Sequence, residues 1–267
     1  MSSALPSFYL SHGGGPWIYV DGPMRATHRQ LEAMLRALPP TLGQTPKAVL
    51  MISAHWEAPE FSVQSGAHPP MLYDYGGFPP HTYHVKYEAA GVPALALQVQ
   101  ALLQSAGLAC RLDEQRGFDH GAFVPMAAMY PQADMPMLQL SLKAGLDPAQ
   151  HLALGQALAP LREQGVLIIG SGASFHNLGV RGAMATTASA AFDLWLGDTL
   201  LRLSPAERSQ RLLHWNEAPA ARVAHAREEH LIPLMVAVGS ATDEPATRVY
   251  FEQGFFGDQT VSSYRFG

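Results

Sequence analysis

The stretch VLIIGSGASFHN, Val166 to Asn177, decides how this chain is read. Four apolar residues run into Gly-Ser-Gly, and a histidine follows four residues on. A short apolar run closed by small residues reads as a buried strand, because a helix needs more length and a 3.6-residue period. Working outward, LPSFYL (5–10), KAVLMISA (47–54), PMLQLSL (136–142) and TRVYFEQG (247–254) repeat the pattern. Between them, residues 24–38, 92–106, 149–164, 187–203, 206–214 and 222–238 carry helical patterning. Strands alternating with helices predict an α/β fold: one domain over residues 1–267, with a largely parallel or mixed central sheet flanked by helices. The expected active site lies at the C-terminal ends of the strands.

Composition narrows the chemistry. The chain has 267 residues, 48% of them hydrophobic, enough for a sizeable core. A formal charge of −5 and 17 scattered Lys and Arg give no basic surface for a polyanion, so nucleic acid is not an expected partner. Cys110 stands alone, which excludes a disulfide framework and a thiolate zinc site and fits a reducing compartment. The opening MSSALPSFYL has no basic n-region, and no apolar run is long enough to span a bilayer. A cytoplasmic protein without membrane contact is expected.

Histidine is the outlier, with 12 in the chain. Three follow predicted strands: His12 after LPSFYL, His55 after KAVLMISA, and His176 after VLIIGSG. Imidazoles at three strand ends can converge on one crevice, where open α/β sheets bind ligands. His230, in HAREEHLIPLMVAVG, sits where a polar segment with Glu228 and Glu229 turns apolar. His120, in RGFDHGAFVPM, is either a helix-entry residue or an acid-base group beside the site. An all-imidazole site suits Zn, Fe, Ni or Cu.

The run SHGGGPW, Ser11 to Trp17, lacks the lysine and hydroxyl of a phosphate loop and the spacing of a dinucleotide loop. It reads as clearance around a ligand, on a strand that turns sharply and leaves His12 aimed into a site. No G-x-S-x-G elbow and no H-E-x-x-H occurs. Residues 61–87 fit neither period and are rich in Pro, Gly, Tyr and His, which reads as an ordered loop over a pocket. Tyr73, Tyr75, Phe78, Tyr83 and His84 are its candidate pocket residues.

Five blocks, SHGGGP (11–16), SAHWE (53–57), DHGAFVP (119–125), GSGASFHNL (170–178) and EEHLIPLMVAVG (228–239), resemble the LigB-type (class III) extradiol dioxygenases, in particular the DOPA 4,5-dioxygenase-like branch. They run in order along nearly the whole chain. The resemblance implies a non-haem metal enzyme with Fe(II) as working metal and Zn(II) as an alternative occupant. It would insert O2 into a catechol-type, DOPA-like ring beside the hydroxyls and give a ring-opened semialdehyde. It makes His12, His55 and His230 metal ligands and His176 a fourth ligand or the acid-base residue, with His120 second choice for that work. A catecholate and O2 leave three octahedral positions for protein, so His176 is expected beside the metal during turnover and on it only without substrate or with zinc.

A related branch carries glutamate as third ligand. Glu229 is therefore the alternative to His230, and the EHLIPL context favours the histidine. Ala226 and Arg227 stand where the branch usually has prolines, which bears on pocket shape and substrate. Arg181 and Arg227 are the candidates to pair with a substrate carboxylate. Two other readings use the same histidines: a zinc-dependent hydrolase, and a non-catalytic zinc-binding protein with a closed site.

Overall fold

The computed structural model describes residues 4–267; Met1 to Ser3, at the head of the stretch read for a leader, lie outside it. The strands are β1 (Ser7–Ser11), β2 (Ala48–Ala58), β3 (Phe61–Gln64), β4 (Cys110–Asp113), β5 (Met137–Lys143), β6 (Val166–Gly172), β7 (Ala246–Phe255) and β8 (Gln259–Phe266). They form one sheet in the order β4-β3-β5-β2-β6-β1-β8-β7. The central four, β5-β2-β6-β1, are parallel, while β3 meets β5 and β8 meets β1 antiparallel. The sheet is therefore mixed, with a parallel centre.

The helices are α1 (Pro23–Thr27), α2 (Arg29–Ala37), α3 (Pro93–Ser105), α4 (His120–Met129), α5 (Pro148–Leu158), α6 (Pro160–Glu163), α7 (Gly182–Arg202), α8 (Pro205–Leu213), α9 (Ala221–Ala224) and α10 (Ile232–Ser240). Prolines explain two departures from the expected helices. The segment 149–164 divides at Pro160, and 222–238 divides into α9 and α10, since Pro233 has no N–H for the carbonyl of Glu229. The break leaves His225 to Leu231 irregular, and that irregular stretch carries His230. Among the described residues no helix is long and apolar enough to cross a membrane.

VLIIGSG shows how the sequence builds the layer above the sheet. Every residue of β6 is buried, and each fully buried Leu or Ile contributes about 1.5–3 kcal/mol. A Cβ on Gly170 would lie 2.2 Å from the carbonyl oxygen of Pro233, and one on Gly172 would lie 2.0 Å from that of His230. Only glycine lets α10 and its leading segment lie this close to the strand. The His230 carbonyl is then held by Ala173 N–H at 3.1 Å and Tyr9 Oη at 2.8 Å.

Candidate metal centre

His12 leaves β1 into the glycine run. Its carbonyl accepts from Trp17 Nε1 at 2.8 Å, and the Trp17 ring stacks on His28 with centroids 4.9 Å apart. His28 donates from Nδ1 to Met24 O, so its Nε2 accepts the Gly14 N–H at 3.0 Å. Gly13 has φ +78, and a Cβ there would meet Trp17 Nε1 at 2.4 Å. SHGGGPW is thus a turn folded around its own tryptophan. It fixes the backbone of His12 and leaves the ring, 2% exposed, facing inward.

His55, expected just past its strand, lies inside β2 (Ala48–Ala58), where the register with β5 shifts between Ile52 and Glu57 and the strand runs on beyond its apolar stretch. His120 is the first residue of α4, and Asp119 is its N-cap, accepting from Ala122 N. The Asp119 carboxylate is fully buried and also accepts from Ser53 Oγ, Gln139 Nε2 and Arg116 Nη2, each at 2.7 Å. Four donors on one buried carboxylate fix the entry of α4, and His120 with it. His176 is placed by backbone bonding: its N–H donates to Ala224 O, and Asn177 Nδ2 donates to Val223 O.

These elements bring together the five histidines that the sequence offered as ligands or acid-base groups. Ring centroids are 4.9 Å apart for His12 and His55, 5.2 Å for His12 and His230, and 4.9 Å for His55 and His230. His120 lies 4.0 Å from His55 and 5.4 Å from His12, and His176 stacks on His230 at 3.4 Å. Two clusters have ligand atoms all within 4.8 Å of one another: His12, His55 and His120 in one, His176, Glu229 and His230 in the other. The tightest three-histidine group thus takes in His120, whereas the ring centroids set His230 at almost equal distances from His12 and His55.

The protons on the rings follow from their partners. Pro125 inside α4 leaves the Gly121 carbonyl without its helical donor, and the Ser171 hydroxyl donates there instead. Having spent its one proton, Ser171 Oγ accepts from His12 Nδ1 at 3.0 Å. His55 Nδ1 faces Asp74 Oδ2 at 3.3 Å, and His230 Nδ1 faces Glu229 Oε1 at 2.9 Å. His12 and His230 therefore keep a bare Nε2, while His55 Nδ1 meets Asp74 at ion-pair range alone. The Nε2 atoms of His12 and His55 are 3.1 Å apart, within reach of one shared ion. Two nitrogens held about 2.0–2.1 Å from one ion at octahedral or tetrahedral angles are about 2.8–3.4 Å apart, so the donor set fits a metal.

Electrostatics agree. Burial pushes His12 well below the ordinary histidine range, helped by the neighbouring His55, and brings His55 down to about 4 with help from His120. Burial also lowers His230, against the opposing hydrogen bond to Glu229. For Glu229 burial acts upward, yet hydrogen bonds from His176 and His230 hold the carboxyl well below the usual range. Asp74 is likewise lowered overall, its burial outweighed by His120 and His55. Neutral imidazoles backed by ionised carboxylates are metal-binding forms.

The cluster forms the floor of a cavity of about 360 Å³. Met24, Tyr75, Phe78, Leu178, Phe255 and Phe256 make its apolar walls. Of the loop residues proposed from sequence, Tyr75 and Phe78 reach this cavity. Tyr73 donates to Val85 O, Tyr83 accepts from Phe78 N, and His84 is exposed, so these three hold or edge the loop. Arg181 lines the cavity, whereas Arg227 is ion-paired to Glu57 and Glu229 outside it. His225 stays apart, buried with Nε2 against Ser174 O. Sequence reasoning missed Asp74 and Ser171. An acid inside the aromatic stretch YDYGGF was the available signal for Asp74; Ser171 offered none.

A family model described as the catalytic LigB subunit of aromatic ring-opening dioxygenase matches residues 6–262. The chain belongs to the LigB family. It is an extradiol-type ring-cleaving dioxygenase, and LigB extradiol dioxygenases are non-haem metal enzymes that take up O2. It is 39% identical over 264 residues to a 4,5-DOPA dioxygenase extradiol of Beta vulgaris, covering 97% of this chain and 96% of that one. A 4,5-DOPA dioxygenase extradiol of Escherichia coli K12 is 28% identical, covering 100% of this chain and 96% of its own. A crystal structure of an uncharacterized protein from Escherichia coli K12 superposes with a TM-score of 0.74 at 28% identity, over 98% of this chain and 100% of the other. LigB membership displaces the hydrolase and the non-catalytic readings.

Proposed function

We propose that this LigB protein opens a catechol bearing an anionic, DOPA-like side chain, using Fe(II) held by His12, His55 and His230, to give a ring-opened semialdehyde. The observation that carries this is the pair of imidazole Nε2 atoms 3.1 Å apart in an aromatic-walled cavity. The nearly equilateral His12–His55–His230 triangle favours His230 over His120 as third ligand. Iron held there supplies redox and Lewis-acid chemistry to the diol and dioxygen; Zn(II) is the alternative occupant.

The remaining work belongs to side chains. His176 Nδ1 faces the Glu229 carboxylate at 3.4 Å, so Nε2 is the nitrogen that exchanges a proton with the substrate hydroxyl. His120, whose Nδ1 is tied to Asp74 at 2.9 Å, is the second candidate for that exchange. The apolar walls seat the ring and exclude water. Arg181 is the one Lys or Arg lining the cavity and has no carboxylate partner among the described residues, so it takes the substrate's carboxylate.

Anaerobic loading with Fe(II), followed by oxygen uptake on adding DOPA, tests the reading; no uptake with a loaded site sinks it. Replacing His176 or His120 with Ala is expected to leave metal bound and to slow ring opening by about 10²–10⁴-fold for the acid-base residue. If ring opening survives in both variants, that assignment fails. Arg181→Gln is expected to raise KM for DOPA about tenfold and to leave 4-methylcatechol unchanged, the loss of one charge-assisted contact.

A further inference from the structure

Asp74 arrives on the long aromatic loop and spends its two oxygens on different rings. Oδ2 faces His55 Nδ1 at 3.3 Å. Oδ1 accepts from both Nδ1 and the backbone N–H of His120, each at 2.9 Å. Glu229 serves a second pair differently: Oε1 alone faces His230 Nδ1 and His176 Nδ1, while Oε2 has no hydrogen-bond partner and lies 3.6 Å from Arg227 Nη1.

Building on the metal site proposed above, we infer that Asp74 is a positioning residue that fixes the protonated nitrogen of His55 and His120 together, and that it needs both carboxylate oxygens to do so. An asparagine has one acceptor oxygen and one amide donor. Its oxygen stays with His120, where two N–H groups would otherwise lose their acceptor, and its NH2 faces His55. His55 then turns its bare nitrogen to the amide and carries its proton on Nε2. That proton points at His12 Nε2, 3.1 Å away, and closes the gap a cation would fill. Glutamine at position 229 meets no such conflict, because its single oxygen can replace Oε1 for both rings.

The test compares metal-free wild type, Asp74→Asn, Asp74→Glu and Glu229→Gln, with nitrogen-15 in the imidazole rings. Long-range proton–nitrogen NMR reads which nitrogen carries the proton. His55 is expected bare at Nε2 in wild type, Asp74→Glu and Glu229→Gln, and protonated at Nε2 in Asp74→Asn. Titration of the same samples with Zn(II) is expected to show about 10- to 100-fold weaker binding for Asp74→Asn and a change of less than about threefold for Glu229→Gln. A bare His55 Nε2 in Asp74→Asn, or equal weakening in the two amide variants, overturns the assignment. The proton pattern is read without metal or substrate, so failure of wild type to consume oxygen with DOPA would strike the proposed function alone.

Discussion

The centre has two sides, each made of a carboxylate and two histidines, and they are supported differently. On one, Asp74 holds His55 and His120 against the buried Asp119 network of Ser53, Gln139 and Arg116. On the other, Glu229 holds His230 and His176, and behind it stands Arg227, 55% exposed and paired to Glu57. The first side is locked by tertiary hydrogen bonds in the interior. The second depends on backbone packing, with the His230 carbonyl wedged against Gly172 and held by Tyr9 and Ala173. Equal chemistry on the two sides therefore rests on unequal mechanical support.

The largest expected effect ignores that difference. His55→Ala and His230→Ala should each abolish stoichiometric iron binding and lower ring opening by more than about 10³-fold, because a two-imidazole site no longer retains the ion. Metal analysis after desalting checks both; retention of iron by His230→Ala would hand the third position to His120.

Acid comes next. His55 is pushed down to about 4 and His12 and His230 lie well below their ordinary value, so near pH 6 these rings are neutral when folded and largely protonated when unfolded. The unfolded state then binds more protons, and stability falls as pH drops from about 6.5 towards 4, by up to about 1.4 kcal/mol per pH unit for each such ring. Metal-free protein should show this slope in Tm, and bound Zn(II) should hold Tm higher throughout that range. A flat metal-free profile would mean that the rings are not buried as neutral groups.

Gly172→Ala probes the packed side alone. It should cost about 1–3 kcal/mol in a denaturant melt and weaken metal binding, since the His230 segment must move off β6. Arg227→Met is the smallest change. An exposed ion pair is worth at most about 1 kcal/mol, so stability and iron binding should barely move. A larger loss would show that the Glu229 side leans on charge and not on backbone contact.

The central strands were legible because a buried parallel strand is a local apolar run, and His12, His55 and His176 were legible because they follow such runs. Strand β8 was missed for the opposite reason. Its buried Ser262 and Ser263 are satisfied by Ser174, Asp193 and Ser11 from distant parts of the chain. Helix α4 was obscured by Pro125, which a helix tolerates here because Ser171 takes up the freed carbonyl. Strands β3 and β4 are four residues each and pair with each other, too short to carry a period.

Sequence by itself determined the α/β class, the alternation of strands and helices, and which imidazoles close an apolar run, since hydrophobic period and chain order are local properties. Tertiary structure alone decided which way each ring nitrogen turns. That depends on partners such as Ser171 for His12 and Asp74 for His55, 159 and 19 residues distant along the chain, and a proton's position on an imidazole is set by what the other nitrogen touches.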